Sequence, residues 1–115
     1  MSIILYDLAG DDGRRFSSNC WRTQMALAHK GLDYETVPIR FTDIGQIGDG
    51  TFKTIPVIDD RGTWVGDSWT IAEYLDDTYS DRPPVLAGSD GRQHARFVQN
   101  WAVATISPLV MTLVV

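Results

Sequence analysis

The segment SSNCWR, from Ser17 to Arg22, joins a short apolar stretch to an amphipathic helical pattern and decides the fold. At such a strand-to-helix turn, the unpaired N–H groups and the dipole of the helix stabilise negative charge, so a cysteine at the first position would be held as a thiolate. This chain carries Ser17 there and keeps only Cys20, three residues later. A serine cannot exchange disulfides, but its hydroxyl can donate a hydrogen bond to a thiolate that a ligand brings. Capping of the helix is the alternative role of the same serine.

The first forty residues carry the signals of a β-α-β unit. Ile3 to Leu8 is an apolar run that predicts a buried strand. A helix is predicted from Ser18, with Lys30 in its last turn and Gly31 as its C-terminal cap. Its apolar residues at helical spacing are Trp21, Met25, Ala28 and Leu32. The stretch from Tyr34 to Ile39 predicts a second strand, which its proline places at a sheet edge or a strand end.

The middle of the chain predicts a loop, a hairpin and a helix. Thr42 to Thr54 contains three glycines and lacks periodicity, so we expect a loop that holds at most a short helix. The stretch from Thr54 to Asp59 opens a strand with a proline, and residues 60–62 turn it back into a strand from Thr63 to Val65. The next helix is predicted from Trp69 to Tyr79, with a shared face formed by Ile71, Ala72, Leu75 and Tyr79.

The last third of the chain predicts a linker and the start of a second domain. Two consecutive prolines, Pro83 and Pro84, end the preceding helix, and a new helix begins near Ser89. We expect its inward-facing residues to be Phe97, Val98, Trp101 and Ala104. The apolar tail from Leu109 to Val115 predicts that the chain stops partway into a helical domain. The expected division is a domain at 1–80, a linker at 81–91 and the first helix of a truncated domain at 92–115.

The composition argues against several classes of function. The 115 residues carry a net charge of −5 and a pI near 4.7, whereas a nucleic-acid partner would demand clustered Lys and Arg. One cysteine and two distant histidines, His29 and His94, provide neither a disulfide framework nor zinc-ligand spacing. We find neither a secretory signal nor an apolar run of the roughly 20 residues that span a bilayer. We therefore expect a cytoplasmic protein with no metal, no nucleic acid and no membrane segment.

The order of these elements resembles the N-terminal domain of cytosolic glutathione transferases, and the resemblance covers nearly the whole chain. SSNCWRTQMALAHKGLDYETVP, residues 17–38, is similar to the zeta class of maleylacetoacetate isomerases. The longer first loop and DSWTIAEYLDDTYSDRP, residues 67–83, look closer to the bacterial aryl-ether-cleaving (β-etherase) branch and its fungal relatives. The resemblance implies an α/β, thioredoxin-like domain followed by the start of an all-α domain.

The resemblance also assigns the catalytic position. Ser17 matches the catalytic serine of the family, five residues before the helix arginine Arg22, and would donate its hydroxyl to the sulfur of glutathione. Ser18 is the second candidate, because related enzymes of the zeta type carry the same Ser-Ser pair. Capping of the helix is the alternative role for Ser18 and the one we favour there. Cys20 is expected to be a core thiol.

Further positions match residues that hold glutathione in the family. Ile55-Pro56 matches the cis-proline turn, where the backbone of Ile55 pairs with the cysteinyl amide of glutathione. Asp67 and Ser68 match the acidic-Ser pair, which binds the γ-glutamyl end beside a helix N-terminus. The glycyl carboxylate needs a cation, for which Lys53 and Arg40 are the candidates.

The resemblance implies a glutathione-dependent transferase, with glutathione as cosubstrate and a small hydrophobic electrophile, possibly an aryl ether, as second substrate. A zeta-like glutathione-dependent isomerase is one alternative. The other is a non-catalytic module that binds glutathione or a partner protein. The full-length family member would be a homodimer.

Overall fold

The structure is a computed structural model that describes residues 3–10, 17–86 and 88–106. The chain divides into two compact units, Met1–Val85 and Leu86–Val115. The first unit holds the sheet, two α-helices and every predicted site residue.

A four-stranded mixed sheet forms the centre of the first unit. Its strands are β1 (Ile3–Leu8), β2 (Tyr34–Ile39), β3 (Val57–Asp60) and β4 (Thr63–Gly66), arranged in the order β2-β1-β3-β4. β1 pairs with β2 in parallel, whereas β1 with β3 and β3 with β4 are antiparallel. The predicted β-α-β unit and hairpin are confirmed, and the proline-containing strand β2 lies at the sheet edge, where a missing N–H is tolerated.

The two helices of this unit begin and end at clear local signals. Helix α1 (Ser18–Lys30) ends at Gly31, which adopts the left-handed conformation with φ of 68°. Helix α2 (Ser68–Thr78) begins one residue earlier than predicted, because Asp67 caps it, and Tyr79 lies just beyond its end. The irregular stretch before β3 contains one short 3-10 helix, Phe41–Gln46, as expected.

The buried face of α1 differs from the one that its apolar spacing indicates. Trp21 and Met25 are 47% and 66% exposed. The buried side chains of the helix are instead Cys20, Thr23, Ala26, Leu27 and Lys30. Two of them are polar, so an apolar pattern could not identify this face.

Two apolar clusters cover the sheet. The first contains Ile3, Leu5, Ala26, Leu27, Ile58, Ile71 and Leu75, so both α1 and α2 pack on that face. The second contains Leu8, Cys20, Ile47, Ile55 and Val57. Because Val57 and Ile58 are neighbours in β3, they point to opposite faces, and the two clusters lie on opposite sides of that strand.

The second unit contains α3 (Gly88–Trp101) and the π-helical turn Ala102–Ile106, which follows it directly. The expectation that α3 buries its apolar residues is wrong: Phe97, Val98 and Trp101 are 71%, 48% and 53% exposed, and Ala104 is exposed as well. The described part of this unit has no element besides the π-helical turn that could cover them. The predicted tail from Leu109 to Val115 lies outside the described residues. None of the described helices is long and apolar enough to cross a membrane.

Candidate functional site

Three turns of the chain meet at one end of the sheet. The strand register pairs Tyr6, near the C-terminal end of β1, with Val57 at the start of β3, and Val57 with Gly66 at the end of β4. The turn into α1, the turn before β3 and the turn into α2 therefore lie beside one another. Because both helices begin here, their dipoles favour negative charge at this end of the sheet.

Ser17 is the N-cap of α1. Its backbone is extended, and its Oγ accepts a hydrogen bond from the backbone N–H of Cys20 at 3.3 Å. The hydroxyl proton is not used in that bond, because the serine oxygen is the acceptor, and the proton can be donated elsewhere. Ser17 is half-buried. Capping and hydrogen-bond donation are therefore compatible at this residue.

Ser18 does not cap the helix. It is the first residue of α1, and the cap position belongs to Ser17, so the capping role expected for Ser18 is wrong. The reason is local: Ser17 keeps the extended backbone of a cap, with φ of −73° and ψ of 118°. The Ser18 side chain lies outside the described part of the structure, and a catalytic role for it stays a prediction.

The bond between Ile55 and Pro56 is cis, as the resemblance implies. Both residues are buried, and the carbonyl oxygen of Pro56 accepts a hydrogen bond from the backbone N–H of Asp67 at 3.2 Å. This bond joins the proline turn to the cap of α2. Between described residues, no backbone–backbone hydrogen bond outside the regular elements uses Ile55. Pairing of the Ile55 backbone with a ligand stays a prediction.

Asp67 and Ser68 form the start of α2. Asp67 is an exposed N-cap with φ of 69°, and its Oδ2 accepts hydrogen bonds from the backbone N–H and the hydroxyl of Thr70, at 3.1 and 3.0 Å. Ser68 is buried as the first helical residue. The capping role of this pair is confirmed for Asp67. A role of the pair in ligand binding stays a prediction.

The two predicted cations differ in their surroundings. Arg40 precedes the 3-10 helix, and its Nε lies 3.6 Å from Oδ2 of Asp43. Lys53 is exposed and lies two residues before Ile55, on the same turn. No ion pair between Lys53 and another described residue is present. A role of either cation in holding a carboxylate stays a prediction.

A buried carboxylate, Asp7, lies in β1 below the start of α1, and our sequence analysis missed it. Asp7 is 1% exposed, and its Oδ2 accepts a hydrogen bond from Nε2 of Gln24 at 3.2 Å. The Oε1 of Gln24 in turn accepts from the hydroxyl of Tyr34 at 3.3 Å. The available signal was the alternation of side chains along β1. Asp7 lies two and four residues after Leu5 and Ile3, so its side chain points to the same buried face.

Cys20 is fully buried, which confirms the expected core thiol. Its Sγ accepts a hydrogen bond from the backbone N–H of Leu8 at 3.5 Å. Burial has the largest effect on the pKa of the Cys20 thiol and raises it above its ordinary value, while hydrogen bonds of Ser17 and Leu8 lower it and Asp7 has a smaller raising effect. Cys20 is therefore a neutral thiol at physiological pH. Among the described residues, no group of three or more His, Cys, Asp or Glu could hold a metal ion.

Comparisons with known proteins identify relatives of this arrangement. The family described as "Glutathione S-transferase, N-terminal domain" matches residues 16–78. The maleylacetoacetate isomerase of Rattus norvegicus is 38% identical over 105 residues, which cover 82% of this chain and 47% of that protein. Glutathione S-transferase Z2 of Arabidopsis thaliana is 35% identical over 96 residues, or 78% of this chain and 41% of its own length.

A solved structure shows the same architecture. It is a glutathione S-transferase of Ceriporiopsis subvermispora in complex with glutathione, with a TM-score of 0.76 and 32% sequence identity. The similarity covers 92% of this chain and 48% of that one. The chain thus spans about half the length of the relatives that it matches.

Proposed function

Since the chain belongs to the glutathione S-transferase family through its thioredoxin-like N-terminal domain, we propose that its three turns bind glutathione and that Ser17 activates the glutathione thiol. The thiolate then attacks an electrophilic carbon of a small hydrophobic substrate. The product is a thioether. Where the displaced group is an aryloxide, the reaction cleaves an aryl ether.

The observation that carries this proposal is the hydrogen bond from the Cys20 N–H to the Ser17 Oγ. It fixes the serine oxygen at the N-terminus of α1 and leaves the hydroxyl proton for the ligand sulfur. A hydrogen bond to an ionised group contributes about 1.5 to 3 kcal/mol. Since one pKa unit corresponds to about 1.36 kcal/mol, this donation lowers the pKa of the bound thiol by roughly one to two units.

The other turns would hold the two ends of glutathione. The backbone of Ile55 would pair with the cysteinyl amide. The carboxylate of Asp67 would face the γ-glutamyl ammonium, while Ser68 and the N-terminus of α2 would bind the γ-glutamyl carboxylate. Lys53 would meet the glycyl carboxylate, with Arg40 as the second candidate.

Asp67→Asn tests this assignment, because asparagine keeps a capping oxygen and tolerates the left-handed region but removes the charge. We expect calorimetry to show glutathione binding weakened by about tenfold, while the free energy of unfolding changes by less than about 0.5 kcal/mol. Asp49→Asn is the matched control, since Asp49 is an exposed aspartate whose Oδ1 also accepts a local N–H, from Thr51. Equal glutathione affinity in both variants would show that Asp67 acts as a cap alone.

A glutathione-dependent isomerase is the second candidate, favoured by the 38% identity to a maleylacetoacetate isomerase and by the Ser17-Ser18 pair. In that reaction the thiolate adds to a conjugated double bond, the bond rotates, and the thiolate leaves again. Glutathione is therefore not consumed. Loss of free thiol in step with product formation supports the transferase, whereas product formation at constant free thiol supports the isomerase.

A module that binds glutathione without turnover is the third candidate. Glutathione binding with no thiol consumption and no isomerisation would identify it. For the whole protein we also propose that it is a cytoplasmic homodimer. Sedimentation of the protein at several concentrations tests the dimer.

A further inference from the structure

A cavity of about 540 Å³ lies between the irregular stretch before β3 and the edge strand β4. Its lining residues are Gly48, Asp49, Thr51, Phe52 and Trp64, and among the described residues that line it there is no predicted glutathione contact. Cavities of this size commonly hold small molecules. The lining combines two aromatic rings with one carboxylate, so we ask which class of ligand these groups would bind.

The aromatic wall of the cavity is built around Trp64. Its ring stacks with that of Tyr6, with a centroid distance of 5.6 Å and an interplanar angle of 25°, and its centroid lies 6.2 Å from that of Phe52. Phe52 in turn lies against Gly66, where a Cβ would come within 3.1 Å of the Phe52 ring. Trp64 is nevertheless 37% exposed. Neighbouring rings therefore hold the indole in place, while part of it stays open to a ligand.

Gly48 keeps the space beside these rings open. Its backbone has φ of 58°, a conformation that favours glycine. A Cβ at this position would lie 3.4 Å from the Trp64 ring and 3.5 Å from the Phe52 ring. Because glycine has no side chain, the open space reaches both aromatic rings.

Asp49 supplies a negative charge at the same cavity. The side chain is exposed, and its Oδ1 accepts hydrogen bonds from the hydroxyl and the backbone N–H of Thr51, at 2.7 and 3.1 Å. The hydroxyl, followed by the N–H, lowers the pKa of Asp49 below its ordinary value, so the carboxylate is ionised at physiological pH. No ion pair between Asp49 and another described residue is present. Its charge is therefore available to a cation in the cavity.

The polar groups of the lining favour one kind of cation. A primary ammonium carries three N–H donors, and donors that find no acceptor away from water are costly. The polar side chains of the cavity are only Asp49 and Thr51, which already bond each other. A quaternary ammonium has no N–H to satisfy, and its apolar methyl groups can pack on aromatic faces, among which tryptophan attracts a cation most strongly.

We propose that this cavity binds a small quaternary ammonium compound. The cationic head lies against the rings of Trp64 and Phe52, and the carboxylate of Asp49 balances its charge. Gly48 provides the room for the methyl groups. This site is additional to the turns that we assign to glutathione.

The test titrates the protein with choline and follows the choline N-methyl signal by NMR. No glutathione is present, so the outcome does not depend on the proposed function. We expect the signal to move upfield through the ring currents of the aromatic wall. The neutral analogue, in which carbon replaces the quaternary nitrogen, should bind about tenfold more weakly, because it loses the attraction of both the rings and the carboxylate. Equal affinity for choline and this analogue would overturn the proposal.

Variants locate the binding. We expect Trp64→Leu to weaken choline binding by about fivefold and Asp49→Asn by about two- to threefold. Trp101→Leu and Asp33→Asn are the matched controls, because both residues are exposed and neither lines the cavity, and they should bind choline as the wild type does. If Trp64→Leu does not fold, Asp49→Asn with its control decides the question.

Two further outcomes would also overturn the proposal. Wild-type affinity in Trp64→Leu and Asp49→Asn would place choline binding outside the cavity. Choline binding that weakens as the protein concentration rises would show that a second copy of the chain covers this face.

Discussion

The ammonium of Lys30, at the end of α1, lies 2.9 Å from Oδ1 of Asp76 in α2, and both side chains are buried. Lys30 also donates hydrogen bonds to the carbonyl oxygens of Tyr79 and Pro83. The same oxygen of Asp76 accepts the backbone N–H of Val85 at 2.9 Å. This ion pair therefore ties the proline-containing segment after α2 to both helices of the first unit.

Lys30→Met removes one partner of the buried pair and leaves the Asp76 charge without its cation. Breaking a buried pair in this way costs about 3 to 5 kcal/mol. We expect urea unfolding to show a loss in that range. Lys53→Met is the control, because Lys53 is exposed, and its effect should stay within about 0.5 kcal/mol. Equal stability of the two variants would show that the ion pair does not hold the segment.

Gly31→Ala tests the end of α1. The residue has φ of 68°, where a Cβ is unfavourable, and the new methyl group would lie 3.4 Å from the guanidinium of Arg82. We expect thermal unfolding to report a loss of about 1 kcal/mol. Gly45→Ala is the matched control, since a Cβ there meets nothing within 4 Å. If Gly45→Ala were as destabilised as Gly31→Ala, the claim that the left-handed backbone of Gly31 disfavours a side chain would be contradicted.

Two tyrosines predict a loss of stability at high pH. Tyr74 and Tyr79 donate hydrogen bonds to the same oxygen of buried Asp60, at 2.7 and 2.8 Å. Burial, followed by the Asp60 carboxylate, raises the pKa of both phenols above the ordinary value. The folded state therefore keeps protons that the unfolded chain releases, so this stabilisation is complete below about pH 10 and is lost as the pH rises through the folded pKa.

We expect the free energy of unfolding to fall as the pH rises above about 10, and to fall less steeply in Tyr74→Phe. Denaturant titrations at a series of pH values measure how steeply the free energy of unfolding falls with pH in the wild type and in Tyr74→Phe. A Tyr74→Phe variant with the wild-type slope would show that the Asp60 hydrogen bond does not couple this phenol to folding.

Local sequence signals predicted the helices and strands, whereas contacts between distant residues determined which face of α1 is buried. Gly31 and Tyr34 to Ile39 predicted the end of α1 and the limits of β2, because caps and β-branched runs act within a few residues. The buried face of α1 was not predictable in this way. Lys30 is buried because Asp76 and the carbonyl oxygens near it arrive from a segment some fifty residues away.

The candidate site likewise contains residues that the local sequence predicts and one that it does not. Ser17 and Asp67 are cap residues, and their sequence neighbours identify them. Asp7 was missed, because its hydrogen-bond partner Gln24 comes from α1 and meets it only after the helix packs on β1. The one available signal was that Asp7, a charged residue in an apolar strand, alternates in step with the buried residues Ile3 and Leu5.

Cys20 should resist mixed-disulfide formation with oxidised glutathione, because its sulfur is buried and neutral. Incubation of the folded protein at pH 8, followed by mass spectrometry, should show no added glutathionyl group. The unfolded chain in urea should gain one under the same conditions. Rapid modification of the folded protein would contradict the assignment of Cys20 as an inert thiol.

The thiolate absorbance of bound glutathione, titrated against pH in the wild type and in Ser17→Ala, tests the central claim most directly. Titration of the free protein provides the baseline, and Ser80→Ala, an exposed serine beyond α2, is the matched control. Loss of a hydrogen bond worth about 1.5 to 3 kcal/mol should raise the midpoint of the bound thiol by roughly one to two units in Ser17→Ala alone. An unchanged midpoint in Ser17→Ala, with the shift found in Ser18→Ala instead, would contradict the account and move the role to Ser18.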